Sequence, residues 1–238
     1  MHLPRLDIIR SLANPKRLCF NSELRETIIK LSDGKLEQVN GCPRALLLMM
    51  GNILEHAKAH ATKQMDDAQY EALLEDARYR LYSWNSTSAS YPDDNPRWLA
   101  VAEAFRHACI LHTSRLLDAA QPAEAPVIQQ SVTAILDAAA EIPSDCYLLE
   151  LLVMPLFMAG TDTLSAHSRH YILLRLDQIK SKAGFGNPLP NSLLGSVWKA
   201  RGNQPKKEHT NIPWMQFVSV IYEKACSCCV ANWQRLRK

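Results

Sequence analysis

The chain has 238 residues, of which 47% are hydrophobic and 21% are charged, and its formal net charge is +3. This composition is typical of a globular protein that can bury a sizeable core. The small positive excess argues against nucleic-acid binding across the whole surface, and the N-terminal stretch lacks the apolar run and small-residue cleavage site of a secretory signal.

The cysteine and glycine counts indicate the cellular compartment and the type of secondary structure. The seven cysteines are an odd number and have no regular spacing, which indicates reduced thiols in a cytosolic or nuclear protein. Eight glycines are few, and strand-like alternation is hard to find, so helices are favoured.

In chain order, the first elements are a loose lead-in and three helices. Residues 1–20 are mixed and proline-punctuated and predict the lead-in. Asn21 or Ser22 can cap a short helix that ends near Leu31. Pro43 suits the first turn of the next helix, and Asp66 or Asp67 can cap the third, which runs to Trp84. The second of these helices carries an apolar stripe at helical spacing: Leu46, Met50, Ile53, Leu54 and Ala57.

The middle of the chain predicts two longer helices. Residues 85–95 form a polar loop, and a helix follows from Pro96 to about Ala120. A further helix covers Val127–Ile142 and is stopped by Pro143. The inward stripe predicted for the first of these is Leu99, Ala102, Phe105, Cys109, His112 and Leu116.

The stretch Leu148–Gly160, LLELLVMPLFMAG, is apolar at nearly every position. It is too short to cross a bilayer, which needs about 20 apolar residues, so it predicts a buried central helix. Pro155 predicts a kink or a helix restart, and Gly160 permits a tight exit or a close helix crossing. Leu156 and Phe157 are expected in the core.

Helices also dominate the C-terminal part. Thr161 or Thr163 is expected to start a helix that ends at Gly184, a short helix closes at Gly202, and Pro213 opens the last one. No strand and no fixed repeat is found. The fold prediction is a single all-α domain over residues 1–238, with about eight to ten helices packed around the central hydrophobic helix.

Metal-binding patterns are weak. Cys226 and Cys229 form a CxxC next to Cys228, but structural zinc usually needs a second ligand pair. Packing of small apolar thiols on one helix face is favoured over metal or redox chemistry. His56 and His60 lie four apart, but the residue after His56 is not glutamate, so HExxH is absent. A solvated helix face is the preferred interpretation.

The remaining polar motifs support no catalytic assignment. The pairs His107 with His112 and His167 with His170 lack a third ligand and are interpreted as surface or boundary histidines. There is no GxSxG elbow and no phosphate-binding glycine loop. A triad assembled from distant residues stays open. Basic residues cluster only at Lys206–Lys207 and at the C-terminal Arg235, Arg237 and Lys238, which is typical of solvated surface.

The order of these features resembles the fungal-specific transcription factor domain, the helical regulatory region of fungal zinc binuclear cluster regulators. Gly41-Cys42-Pro43 and the helix after it resemble the family's opening, and Trp84 its "L-x-x-W" ending. Residues 101–118 resemble its "E-x-[YF]-R-x-A" helix. Leu152–Gly160 resembles "W-P-L-F-x-A-G", with Met154 where tryptophan is usual. The later matches are Arg169, Ile172, Leu176, Leu193–Leu194, Val197–Trp198, Arg201 and Trp214.

The resemblance covers about residues 40–220 and implies a nuclear regulator of expression, often of metabolic or secondary-metabolite genes. Such a domain acts through protein partners or a small-molecule effector. Family members usually carry an N-terminal six-cysteine zinc cluster that reads DNA, whereas this chain has only Cys19 and Cys42 in its first hundred residues. The chain is therefore expected to be a fragment of a longer regulator or a short member that reaches DNA only indirectly.

The resulting hypothesis is a non-enzymatic regulatory domain without a cofactor, metal site, catalytic residue or membrane segment. Two alternatives from other classes stay open. One is a helical enzyme with an apolar pocket beneath Leu148–Gly160, and the other is a protein-interaction scaffold. A metal or redox module at Cys226–Cys229 is a further option.

Overall fold

A computed structural model of the protein describes residues 3–30, 41–183, 189–204 and 210–218. Within these ranges the chain is all helical, which confirms the predicted fold class. The α-helices are α1 (Leu3–Leu12), α2 (Ser22–Lys30), α3 (Arg44–Ala61), α4 (Asp67–Ser83), α5 (Trp98–Leu117), α6 (Pro126–Ala140), α7 (Val153–Asp162), α8 (Ala166–Ala183) and α9 (Leu189–Gly202). Short 3₁₀ helices lie at Pro15–Arg17, Ser86–Ser88 and Tyr147–Leu152.

The N-terminal segment is part of the fold rather than a loose lead-in. Helix α1 contacts α3, and its Ile8 and Leu12 are buried. Asp7 holds the following turn, because its carboxylate accepts hydrogen bonds from the backbone N–H groups of Cys19 and Phe20 at 2.9 Å each. The prediction of a lead-in was wrong because the prolines and mixed polarity of residues 1–20 hide the apolar contacts made by Ile8, Leu12 and Leu18.

Helix α5 occupies the centre. Fifteen of its 20 residues are buried, and it packs against α3, α4, α6 and α7, so it has almost no solvent face. The predicted inward stripe is right at Ala102, Phe105, Cys109 and His112 but wrong at Leu99, which is 38% exposed. At this end of α5 the inward position belongs to Trp98, whose Nε1–H donates to Asp93 at 2.8 Å.

The predicted central segment, Leu148–Gly160, is a 3₁₀ turn followed by α7, packed against α5, α6, α8 and α9. Pro155 is the third residue of α7, where a backbone N–H has no intrahelical partner anyway, so the helix restarts rather than kinks. Leu156 is fully buried, as predicted. Phe157 is only half-buried, and its ring meets that of Trp214 edge-on at 5.1 Å.

The Gly41-Cys42-Pro43 motif contacts the apolar segment Leu148–Gly160 in the structure. Gly41 has φ +67°, a left-handed conformation that favours glycine. A Cβ at this position would lie 2.5 Å from Cβ of Leu151, so the backbone before α3 lies directly on the 3₁₀ turn that precedes α7. Gly160 serves a similar purpose, because a Cβ there would come within 2.8 Å of Leu194 in α9.

Element boundaries differ from the predictions by a few residues, and the largest difference is at α8. The predicted start at Thr161 or Thr163 is wrong, because α7 continues through Asp162. Ser165 caps α8 instead, with its Oγ accepting from the backbone N–H of Ser168 at 3.0 Å. Predictions for Leu31, Gly184, most of the last helix, Lys206–Lys207, Cys226–Cys229 and the C-terminal basic residues lie outside the described residues.

Candidate functional site

The C-terminal ends of α5, α7 and α9 meet at a buried group of polar side chains. We call Arg115, Asp162, Arg201 and Asn211 the arginine cluster. Arg115 binds Asp162 through two hydrogen bonds, Nη2 to Oδ1 at 2.6 Å and Nε to Oδ2 at 3.2 Å. Arg201 Nη2 donates to the same Oδ1 at 2.9 Å and also to Oδ1 of Asn211. One carboxylate therefore serves two guanidinium groups.

Backbone carbonyls and amides fix the position of the arginine cluster. Arg115 Nη1 donates to the carbonyl oxygen of Gln121, just after α5. The carbonyl of Asp162 accepts from the Gln129 side chain at 3.0 Å, which ties the end of α7 to α6. Asn211 Nδ2 donates to the Ala119 carbonyl at 2.9 Å. The cluster thus joins α5, α6, α7, α9 and the 210–218 segment.

A second layer of aromatic and basic side chains lies beside it. Trp198 of α9 donates its Nε1–H to the Gly160 carbonyl at 2.8 Å, and the guanidinium of Arg169 lies 5.3 Å from the centre of the Trp198 rings, within cation–π range. Burial lowers the pKa of Arg201 below its ordinary value; the charge of Asp162 opposes this shift, and the charges of Arg115 and Arg169 add to it.

A separate groove lies on the surface between the start of α3 and the loop after α4. It has a volume of about 580 Å³, which is within the range of small-molecule sites. Its walls combine aromatic and polar groups, and they include Arg44, Leu48, Trp84, Ser88 and Tyr91. Burial, with the charge of Glu103 adding to it, raises the pKa of the Tyr91 hydroxyl to about 12, and this hydroxyl donates to the Ser86 carbonyl at 2.6 Å.

The prediction that His107 and His112 are surface or boundary residues was wrong. Both are buried in α5. Burial lowers the pKa of His112 to about 4, and burial together with the Arg106 charge lowers that of His107 to about 4. Neither is a charged group at neutral pH. His167 and His170 are exposed, as predicted.

The face carrying His56 and His60 is only partly solvated. The ring of His60 stacks on Tyr70 with 4.1 Å between centroids, and its Nε2 lies 2.8 Å from Asp67 Oδ1. His56 is half-buried, which lowers its pKa. These contacts join the end of α3 to α4. Among the described residues, no group of three or more histidine, cysteine or acidic side chains is placed to hold a metal ion.

The apolar space near the predicted central segment is small. A cavity beside Met154, lined also by Ile8, Met50, Phe105 and Cys109, has a volume of about 20 Å³, which is room for about one water molecule. This cavity gives the alternative of an enzyme with a substrate pocket under Leu148–Gly160 no support. In the part of the chain described here, no helix combines the length and apolar character needed to span a bilayer.

In the sequence, the residues of this region that stand out do so only as matches to a family pattern: Arg169, Trp198, Arg201 and Trp214. No sequence pattern predicted a role for Arg115, Asp162 or Asn211. A signal was available for one of them. Arg115 follows Ala108 and His112 on the inward face of α5, and a charged residue on a buried face indicates a partner. Nothing local marks Asp162 or Asn211, because their roles arise from contacts across 47 and 92 residues.

Comparison with known protein families matches residues 5–228 to the fungal-specific transcription factor domain. No curated protein and no solved structure shows significant similarity to the chain. The match extends beyond the expected range of residues 40–220 and includes most of α1, in agreement with the packing of that helix into the core. Because the match covers nearly the whole chain and the described residues form an all-helical fold, this protein belongs to the fungal-specific transcription factor domain family and has a role in the regulation of transcription.

Proposed function

We propose that this chain is the regulatory region of a fungal transcription factor. In this proposal it acts in the nucleus without catalysis, through protein partners or a small-molecule effector. It reaches DNA only indirectly or through a separate zinc cluster. Its proposed target genes are metabolic or secondary-metabolite genes, as the family resemblance implies.

The observation that carries the proposal is the family match over residues 5–228. Two features of the structure support its finer points. The surface groove beside Trp84 and Tyr91 is large enough for a ligand or a peptide side chain. The arginine cluster joins the ends of three helices to residues 210–218, so a ligand or partner bound at this point would contact several elements of the fold.

A tethering assay tests the regulatory role. The whole chain is fused to an unrelated DNA-binding module and expressed in fungal cells with a reporter gene under that module's operator. We expect reporter output to differ several-fold from that of the module alone. The matched variants are Asp162→Asn, which breaks the arginine cluster, and Asp76→Asn, which removes an exposed ion pair with Arg80. Only the Asp162→Asn variant should lose the change in reporter output. A folded, abundant nuclear fusion with unchanged reporter output would refute the proposal.

DNA binding by the isolated chain tests the indirect route to DNA. With a net charge of +3, we expect weak binding to duplex DNA without sequence preference at about 150 mM salt. Specific readers reach a Kd of roughly 10⁻⁸ M or better under such conditions. Sequence-selective binding at that level would contradict the proposal, whatever the outcome of the tethering assay.

A further inference from the structure

Helix α1 and the 3₁₀ turn that follows it form an outer layer on α3. We call residues 3–18 the strap. The contacts of α1 are mainly with α3 and with the turn Pro15–Arg17, and the apolar side chains that the strap buries are Ile8, Leu12 and Leu18. A helix as short as α1 is marginal in water on its own. The structure of the strap therefore depends on these three anchors and on the hydrogen bonds at its end.

The chain just after the strap is held firmly in place. Arg25 of α2 has a fully buried side chain, which donates to Glu55 at 2.6 Å, to Asn52 at 3.1 Å and to the carbonyl of Phe20. Glu55 and Asn52 belong to α3, so this network fixes Phe20 and α2 to the core. The strap and its fixed base meet at residues 18–20.

One carboxylate joins the strap to this base. Asp7 of α1 is 7% exposed, and it accepts from the backbone N–H of Cys19 at 2.9 and 3.1 Å and from that of Phe20 at 2.9 Å. Hydrogen bonds to an ionised acceptor are stronger than neutral ones. Lys58 adds a part-buried bond from its Nζ to the Leu18 carbonyl at 2.7 Å. Asp7 is thus the polar contact on which closure of the strap most depends.

Beneath the strap lies an apolar groove at which three helices of the core meet. Ile8, Ile9 and Leu12 of the strap line one side of the cavity of about 20 Å³. The other side is formed by α3, α5, α7 and the residue after Gly41, through Cys42, Leu47, Met50, Phe105, Cys109 and Met154. Atoms that line a gap lose dispersion contacts on one side, so the strap closes the groove without filling it.

We propose that the strap opens as one unit about residues 19–20, with Asp7 as its latch, and that opening uncovers the groove between α3, α5 and α7. Segments with few buried apolar contacts open at a lower free energy than the whole domain, and the conformational entropy of the strap opposes its three anchors. The open form offers a protein partner an apolar surface that the closed form lacks. This regulatory meaning rests on the proposed function, whereas opening itself does not.

The test follows opening with two probes on the whole purified chain. Hydrogen exchange reports on the backbone amides of α1, and a small thiol reagent, methyl methanethiosulfonate, reports on Cys42 and Cys109, which are 6% and 1% exposed in the closed form. We expect protection factors in α1 at least about tenfold lower than in the centre of α5. Both thiols should be labelled at the rate set by strap opening, as read by mass spectrometry of the two peptides.

Three variants locate the opening. Asp7→Ala removes the latch and should speed both probes about tenfold or more, because bonds to a charged group contribute strongly. Ser11→Ala is the matched control, since the Ser11 hydroxyl donates within α1 to the Asp7 carbonyl at 2.6 Å; its rates should stay within about twofold of the parent. Leu156→Ala lowers the stability of the whole domain and should leave both probes unchanged, because Leu156 is buried in α7 outside the strap.

A measurement on the parent chain covers the case in which a variant does not fold. Exchange in α1 should be insensitive to low, non-denaturing urea, since local opening exposes little surface, whereas exchange in the centre of α5 should rise with urea.

The inference fails if α1 and α5 are equally protected, if α1 exchange follows urea as α5 does, or if Asp7→Ala and Ser11→Ala react alike. Faster probes in Leu156→Ala would assign the signal to global unfolding. Rapid exchange in α1 with unlabelled thiols would show that opening does not uncover the groove. Each of these results leaves the tethering assay unaffected, so failure of the strap is distinguishable from failure of the proposed function.

Discussion

Asp162 is the single residue on which the junction of α5, α7 and α9 most depends. It is 2% exposed and accepts hydrogen bonds from both Arg115 and Arg201. Asp162→Asn keeps the shape of the side chain but removes the only negative charge of the arginine cluster. One carboxylate oxygen becomes an amide nitrogen, which donates toward guanidinium groups that also donate. Two buried positive charges then face each other without compensation.

Removing one partner of a buried ion pair costs about 3–5 kcal/mol. Because two arginines share this carboxylate, the upper half of that range is expected. With a urea m-value of about 3 kcal/mol per molar, the unfolding midpoint should fall by roughly 1.3–1.7 M. The assay is equilibrium unfolding in urea, followed by circular dichroism and by tryptophan fluorescence.

The control is Asp76→Asn, which has the same chemical change in an ion pair with Arg80 at 3.8 Å, both side chains being 63% exposed. Exposed pairs contribute about 0–1 kcal/mol, so its midpoint should move by less than about 0.3 M. Equal shifts for the two variants would show that Asp162 is not the centre of a buried charge network, and the account of the arginine cluster would fail.

Three further changes test other parts of the fold. Gly41→Ala should destabilise the protein by about 1–3 kcal/mol through backbone strain and steric overlap. Gly195→Ala, in an open helical position, should be neutral or stabilising by up to about 1 kcal/mol. Both are measured by urea unfolding, and equal free-energy changes for the two variants would contradict the close contact at Gly41. The free energy of unfolding should fall as the pH is lowered from 6.5 to about 4, because His112 takes up a proton near pH 6.5 in the unfolded chain but only near pH 4 in the folded chain. His112→Gln should lessen this pH dependence. An unchanged pH profile of the unfolding midpoint in that variant would refute the role of His112. Leu156→Ala should cost about 2–5 kcal/mol, and Phe157→Ala less, because the Phe157 ring is only half-buried; a larger loss for Phe157→Ala would reverse that assignment.

Most helices could be predicted from the sequence because their apolar periodicity is local. The stripe of α3 and the cap of α4 at Asp66, whose side chain accepts from Gln69 N at 2.8 Å, are both visible in a short window. Helix α1 could not be predicted in the same way, since the mixed polar and apolar residues of Leu3–Leu12 leave a weak helical pattern. The place of α5 at the centre was missed because Leu148–Gly160 is the more apolar stretch, while α5 is buried with several polar residues.

The candidate site was beyond local reasoning for a different reason. In the sequence, a buried charged residue is visible only as one polar residue on an otherwise apolar helix face, as Arg115 is in α5. Its partner is chosen by helix packing, and Asp162 lies 47 residues further along the chain. The hydrogen bond from Arg201 to Asn211 depends on where residues 210–218 lie, which no spacing rule predicts.

The hydrogen bond from Asn211 to the Ala119 carbonyl has a consequence for the order of folding during synthesis. The two residues are 92 positions apart, and at about 5–20 residues per second the ribosome needs roughly 5–18 s to add the intervening chain. The packing of α5 against α6 involves neighbours in sequence and can form earlier, since contacts close in sequence close small loops. We therefore expect the nascent domain to pack α5 against α6 first and to form the contacts at the charged ends of α5 and α7 last, when Arg201 and Asn211 have emerged.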